Sequence, residues 1–333
     1  MKKLSITLYM LCITFVVLCQ DLHSSQEYAL APVYHPAATG RFDGFYRVGA
    51  AYRDQWRTVP AAFQTLSVFA DMTFPVNPRK GASHFGLGLV ATGDQAGDGR
   101  LRTTEVGFQA AFHQQLSRGG KTMLSAGFGS AVGSKRIDAN RLVFNNQWTD
   151  TGFDPLLPNG ESFSGLSEGY LDLQAGLSLF TRTNLSDYLY VDASLHHLNQ
   201  PRISFLDAQQ PLGLRPVVAV GGRFGLRGTT AILPRVQFSS EQSARQITGG
   251  ANFSWGLDYT TDGNQIIGGL WYRYGDAVIV NAGARLNDVQ VILSYDLNAS
   301  GLTPASSGYG AVELSLVYVG RRKDRKLDCP NNF

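Results

Sequence analysis

Cysteine is nearly absent from this chain, with 3 residues in 333. Cys12 and Cys19 fall at its amino-terminal end, and if a leader is cleaved after Cys19 the mature chain keeps Cys329 alone, which excludes an internal disulfide framework. Long apolar runs are missing as well. A hydrophobic fraction of 44% with a mean hydropathy of -0.09 excludes a bundle of membrane helices, each of which needs about twenty apolar residues. The single run that stands out, Leu4 to Leu18, follows Lys2 and Lys3 and is short for a bilayer span, which is the form of a secretory signal peptide over 1–19. A large excess of charge is also lacking. The formal net charge is +3, and removing Lys2 and Lys3 lowers it by two, so no overall field points to nucleic acid as a partner. Only the end of the chain is locally basic, where Arg321, Arg322, Lys323, Arg325 and Lys326 outnumber Asp324 and Asp328.

Catalytic and metal-binding patterns are missing too. There are 6 histidines. His196 and His197 are adjacent on a predicted strand, where alternation sends them to opposite faces and denies them a shared metal ion. His84 and His113 have no acidic or cysteine neighbours at ligand spacing. Asp192 with His196 has the residue types of an acid–base pair, but no nucleophile accompanies them. Gly127, Gly129 and Gly133 do not complete a dinucleotide fingerprint, and neither a nucleophile elbow nor a metalloprotease motif is found. The expectation is a protein that is not an enzyme, with no catalytic residue, cofactor or metal.

What the chain has in abundance is alternation. Leu171, Leu173, Ala175, Leu177 and Leu179 alternate with Asp172, Gln174, Gly176 and Ser178, and Leu189, Val191, Ala193 and Leu195 alternate with Asp192, Ser194 and His196. Side chains of a strand point alternately to its two faces, so each segment has an apolar and a polar face. Repeated along a whole chain, this predicts an all-β fold: a transmembrane antiparallel outer-membrane β-barrel of about 14 strands, with short periplasmic turns and longer extracellular loops. The predicted strands run Gly44 to Gln55, Phe63 to Phe74, His84 to Thr92, Leu101 to His113, Thr122 to Ser134, Tyr170 to Thr181, Tyr188 to His197, Leu214 to Leu226, Ile232 to Gln242, Gln246 to Asp258, Gln265 to Tyr274, Ala277 to Leu286, Val289 to Leu297 and Gly310 to Val319. The organisation expected around them is a signal peptide over 1–19, an N-terminal periplasmic lead-in over 20–43, the barrel over 44–319 and a basic periplasmic tail over 320–333. An even strand count returns both termini to the periplasmic side.

The lipid face is expected to carry Val106, Phe108, Ala110, Phe112, Phe253, Trp255, Leu257, Val312, Leu314, Leu316 and Tyr318. Glu105, Gln109, Asp172, Gln174, Asp192, Asn252, Asn281 and Glu313 are expected to face a hydrated or protein-plugged lumen. The 37 glycines fall inside strands as well as at turns, which suits curvature and close approach in the lumen. The longest connector, Lys135 to Gly169, carries Phe144, Trp148 and Phe153. Aromatics in a long polar loop are candidates for partner-binding anchors. The alternative is that they fold the loop back over its own barrel.

Several strings go beyond the pattern. Ser25 to Tyr28, then Tyr34, His35, Pro36 and on to Gly40, are followed by Tyr52, Arg53, Asp54, Gln55 and Trp56. Later come His197, Leu198, Asn199, Gln200 and Pro201, then Ser294, Tyr295, Asp296 and Leu297, and finally Cys329 and Pro330 in the tail. In this order they resemble the PorP/SprF-like outer-membrane proteins of type IX secretion and gliding motility in Bacteroidetes. His35 and the Cys-Pro-Asn-Asn-Phe ending depart from the family's usual Asn and its shorter tail. The resemblance implies an integral outer-membrane barrel that works beside other type IX secretion or motility components. Its implied role is to dock or anchor a secreted adhesin-like protein at the cell surface through that protein's C-terminal sorting domain. On the residues alone, a passive or substrate-specific channel for small solutes remains open.

Overall fold

The computed structural model describes residues 23–321 apart from 59–61, 77–82, 98, 118–120, 139–141, 155, 159, 161–166, 185, 206–207, 243, 258–262 and 302. Cys329 and Pro330, with the signal peptide and most of the tail, lie outside the described residues. Fourteen strands pair antiparallel with their sequence neighbours, and the last pairs with the first to close the barrel. In chain order they are β1 (Tyr46–Gln55), β2 (Phe63–Pro75), β3 (His84–Ala96), β4 (Leu101–Gln115), β5 (Thr122–Arg136), β6 (Ser167–Arg182) and β7 (Tyr188–His196). The second half continues with β8 (Arg215–Gly225), β9 (Thr230–Glu241), β10 (Ala244–Gly256), β11 (Gln265–Arg273), β12 (Ala277–Leu286), β13 (Val289–Asn298) and β14 (Tyr309–Gly320). All fourteen predicted strands are present, and closure leaves no unpaired sheet edge.

The period-two pattern sets the two faces. Val106, Phe108, Trp255, Val312, Leu314 and Leu316 are exposed on the outer wall, whereas Gln109, Asp172, Gln174, Asp192, Asn252, Asn281 and Glu313 are buried on the lumen side. Outward aromatics gather towards one end, where Tyr46 meets Tyr318 at 5.8 Å and Phe85 meets Phe112 at 4.8 Å between ring centroids. That is the placement of an interfacial girdle. The same end carries the connectors after even-numbered strands, such as Asn287–Asp288 between β12 and β13, and is called the short-turn rim. The opposite, long-loop rim carries 137–166, 197–214 and 299–308.

Two expectations are corrected. The segment read as a periplasmic lead-in lies inside the barrel: residues 24–40 are largely buried, with Gln26, Ala37, Ala38 and Thr39 fully so. The even strand count does place the start of β1 and the end of β14 at one rim, with Tyr46 opposite Gly320. The chain ahead of β1, however, runs back up the lumen, so the two described ends of the chain lie at opposite rims. The second correction concerns the adjacent histidines. β7 ends at His196, and His197 takes a left-handed backbone with φ 56°, which breaks the alternation. Both side chains are therefore buried towards the interior, with ring centroids 6.4 Å apart. No metal-binding group is found among the described residues.

Glycine makes room for the inner segment. A Cβ on Gly127 of β5 would stand 2.4 Å from the amide nitrogen of Ala37, and one on Gly86 of β3 would stand 2.1 Å from the carbonyl oxygen of Thr39. Both are backbone contacts that cannot yield by a rotamer change. Gly127→Val is expected to unseat residues 36–38 while leaving the strand ladder in place, since overfilling a packed site typically costs about 1–3 kcal/mol. Limited proteolysis in detergent checks this: cleavage within 24–41 rises in the variant, while heat-modifiable gel mobility of the barrel stays unchanged.

Candidate functional site

The inner segment forms a plug with three zones. Its long-loop end is a charged latch. Ser24 Oγ donates to Glu313 Oε1 at 2.5 Å, and the Ser25 amide donates to Glu313 Oε2 at 2.7 Å. Ser25 Oγ sits 2.7 Å from Asp296 Oδ1 and accepts from Arg53 Nη1 at 2.5 Å and Arg273 Nη2 at 3.0 Å. Arg53 Nη2 also donates to Asp296 at 3.0 Å and to Gln55 Oε1 at 3.2 Å. Gln26 reaches Ser294 and the carbonyl of Glu313, and Ser315 donates to its side-chain oxygen. These charges are out of water, with Arg53, Asp296 and Glu313 at 4%, 1% and 1% side-chain exposure. Such groups persist only when paired and hydrogen-bonded, and the plug supplies part of that satisfaction.

The middle zone is apolar and aromatic. A single helical turn, α1 (Ala31–Tyr34), carries Pro32 in its first positions, where a missing N–H costs nothing. Ala29, Leu30, Val33 and Tyr34 pack on Ala51, Phe69 and Val317 of the β1, β2 and β14 wall. Tyr28 stacks on Trp271 with centroids 5.1 Å apart and accepts from Asn281 at 2.9 Å. The Tyr34 carbonyl accepts from His196 Nε2 at 3.0 Å. The Glu27 side chain is buried and accepts from Gln237. His35 is buried beside Gly176 of β6.

At the short-turn end the plug is clamped a second time before it enters β1. His113 Nε2 donates to the Thr39 carbonyl at 2.8 Å, Thr39 Oγ1 donates to Gln109 at 2.7 Å, and the Gly40 amide donates to Asp71 at 2.7 Å. Arg47 makes two bonds to the same Asp71, at 3.0 and 2.7 Å. Arg41 grips Asp192 with both terminal nitrogens, at 2.5 and 2.8 Å, and lies over the Tyr190 ring at 5.2 Å. Asp192 is thereby committed to Arg41, while His196 is committed to the plug backbone. The acid–base pair considered from sequence is not assembled.

The sequence strings that suggested a family mostly fall on this plug and its wall. Tyr34, Pro36 and Gly40 lie in the plug, and Arg53, Gln55, Ser294 and Asp296 lie at its latch. Trp56 stands at the rim with a left-handed backbone and packs edge-on against Phe63 at 5.4 Å. Asn199 bonds the backbone of Leu171 and Leu173, with Gln200 left-handed beside it and Pro201 buried, so this string shapes the loop after β7. His197 Nδ1 meets Asp172 at 2.9 Å. Tyr295 points outward on β13, away from the latch formed by Ser294 and Asp296. The plug's second clamp, from Arg41, Arg47 and Asp71, was missed in the sequence reading. The signal available was Arg41 just ahead of β1, together with the lumen carboxylate Asp192.

Above the latch, the long-loop rim opens into a vestibule of about 600 Å³. His23 lines it together with Trp56, Phe63, Arg245, Arg273 and Tyr274. In the loop 137–166, a two-residue hairpin pairs Trp148 with Phe153, their rings 5.9 Å apart and 59% and 39% exposed. Phe144 is partly buried at the hairpin's base, where its amide donates to Gln147 Oε1 at 3.2 Å. The loop thus brings Trp148 and Phe153 together, with Phe144 set apart from them.

A closed antiparallel barrel with an apolar outer belt and a filled polar lumen is the architecture of an outer-membrane β-barrel protein. The fold is similar to the toluene transporter TbuX of Ralstonia pickettii, with a TM-score of 0.53 and 14% identity over 89% of this chain and 94% of that one. It is also similar to the toluene transporter TodX of Pseudomonas putida, with a TM-score of 0.52 and 10% identity over 90% and 94%. No curated protein matches the sequence. The model of the family described as type IX secretion system membrane protein PorP/SprF matches residues 17–318, and the chain belongs to that family.

Proposed function

We propose that this barrel docks a secreted adhesin-like protein at the cell surface, holding that protein's C-terminal sorting domain at the long-loop rim. In this reading the long-loop rim faces outward and the short-turn rim faces the periplasm, where the basic tail meets other type IX secretion or motility components. The observation that carries it is the plug. With the lumen occupied from Ser24 to Arg41 and no free edge in the barrel wall, the rims are the surfaces left for a protein partner. The outward rim offers Trp148 and Phe153 as exposed, rigid aromatics, the residue types that dominate protein interfaces. The barrel has no catalytic role in this account.

A solute channel is the second reading, favoured by the vestibule and by likeness to barrels described as toluene transporters. The latch below the vestibule weighs against it, because a solute would have to displace buried ion pairs to pass. The test replaces both aromatics, Trp148→Ser with Phe153→Ser, in tagged protein purified from native outer membranes. The expected result is loss of a co-purifying large secreted protein at unchanged barrel abundance. Undiminished recovery of that protein would overturn the anchor role of this hairpin.

A further inference from the structure

The chain ahead of β1 can be followed through the lumen contact by contact. The Gly40 amide meets Asp71, within a few residues of the short-turn end of β2. The Tyr34 carbonyl meets His196, and Tyr34 packs with Leu30 and Val33 on Ala51, Phe69 and Val317 in the middle of the wall. Ser25 meets Arg53, Arg273 and Asp296, each near the long-loop end of its strand, and His23 lies in the vestibule.

The geometry points to a threaded chain. His23 opens into the vestibule, so the first described residue and the end of β14 face opposite sides of the membrane. A protein seated on the long-loop rim then meets His23 as part of its docking surface. This rests on the reading of the long-loop rim as the outward face.

Threading also fixes an order of events. β1 pairs with β14 to close the wall, and the plug contacts strands from both halves of the chain. The amino-terminal end must therefore be free of any inner anchorage before the plug seats, since a tethered end cannot reach the far rim.

The test is site-directed labelling with a membrane-impermeant maleimide in a Cys329→Ser background. His23→Cys is compared with Gly301→Cys in a long loop and Arg227→Cys in a short turn, both exposed. Expected are labelling of His23→Cys and Gly301→Cys on intact cells to similar extent, and of Arg227→Cys only after permeabilisation. If His23→Cys follows Arg227→Cys, or is labelled under neither condition, threading is overturned. If Gly301→Cys and Arg227→Cys exchange behaviour while His23→Cys still follows Gly301→Cys, threading stands and the orientation in the proposed function fails. A short epitope inserted between residues 22 and 23, probed by antibody on intact cells, gives the same readout with His23 in place.

Discussion

Deleting residues 24–38 is expected to convert a sealed barrel into a conducting one. Barrel width grows with strand number: about eight strands are filled by side chains, and sixteen to eighteen leave an aqueous channel. At fourteen strands, the lumen here is filled by main chain. Without the plug, its wall would present Asp192, Gln109, Asn281 and Glu313 to water, a polar lining that wets readily. In planar bilayers, conductance of the deletion protein should exceed that of the full chain by on the order of tenfold, the contrast between a filled and a water-filled lumen. Heat-modifiable mobility identifies assembled barrels in both samples. Equal conductance of the two proteins would mean that the long loops, and not residues 24–38, set the passage, and the argument from plug to rim docking would lose its basis.

The same comparison shows what the residues alone could convey. Strands were legible because a lipid-facing wall demands period-two patterning, and Leu171 to Leu179 or Val312 to Leu316 satisfy it on one parity. Strand ends were less so: β3 runs on through Gly93, Asp94, Gln95 and Ala96, where the outer face has left the lipid and apolarity no longer marks it. The plug was not legible. Its segments are a single α-turn and a 3₁₀ turn, too short for a helical period, and its small residues are buried by contact with glycines far away in sequence. His197 failed for a related reason, since a single left-handed residue reverses a parity argument without leaving a compositional trace. Loop aromatics were visible as residue types, but only the hairpin separates Trp148 and Phe153 from Phe144.

Position in the lumen also explains why family strings scattered over the chain converge in space. Arg53 is near the end of the first strand and Asp296 near the end of the thirteenth, and barrel closure makes β1 and β13 both neighbours of β14. Glu313 of β14 stands between them, and Ser24 and Ser25 complete the set from inside. One cluster therefore ties the closing seam of the barrel to the free end of the plug. A change there is read first in the free end of the plug, and a change in the short-turn clamp is read mainly in the covalently anchored end.

Arg53→Met is expected to release this latch. Removing one partner of a buried ion pair typically costs about 3–5 kcal/mol, because the remaining charges keep their desolvation penalty without its compensation. Asp296 would retain Arg273, but Glu313 would retain only Ser24 and the plug amides. Ten main-chain pairings between β1 and β14 and ten between β1 and β2 hold the wall regardless, so the loss should appear as local opening of residues 24–30 with the barrel intact. Chymotrypsin cleavage after Tyr28 and bilayer conductance should both rise, while the thermal transition of the barrel moves little. The double variant Arg53→Met with Glu313→Gln removes the stranded charge and should recover most of the protection, giving a coupling energy well above the few tenths expected of independent sites. A single variant as protected as the parent would show that the plug is held by its apolar middle and its short-turn clamp alone. Additive losses in the double variant would show that Arg53 and Glu313 do not act on the plug as one unit.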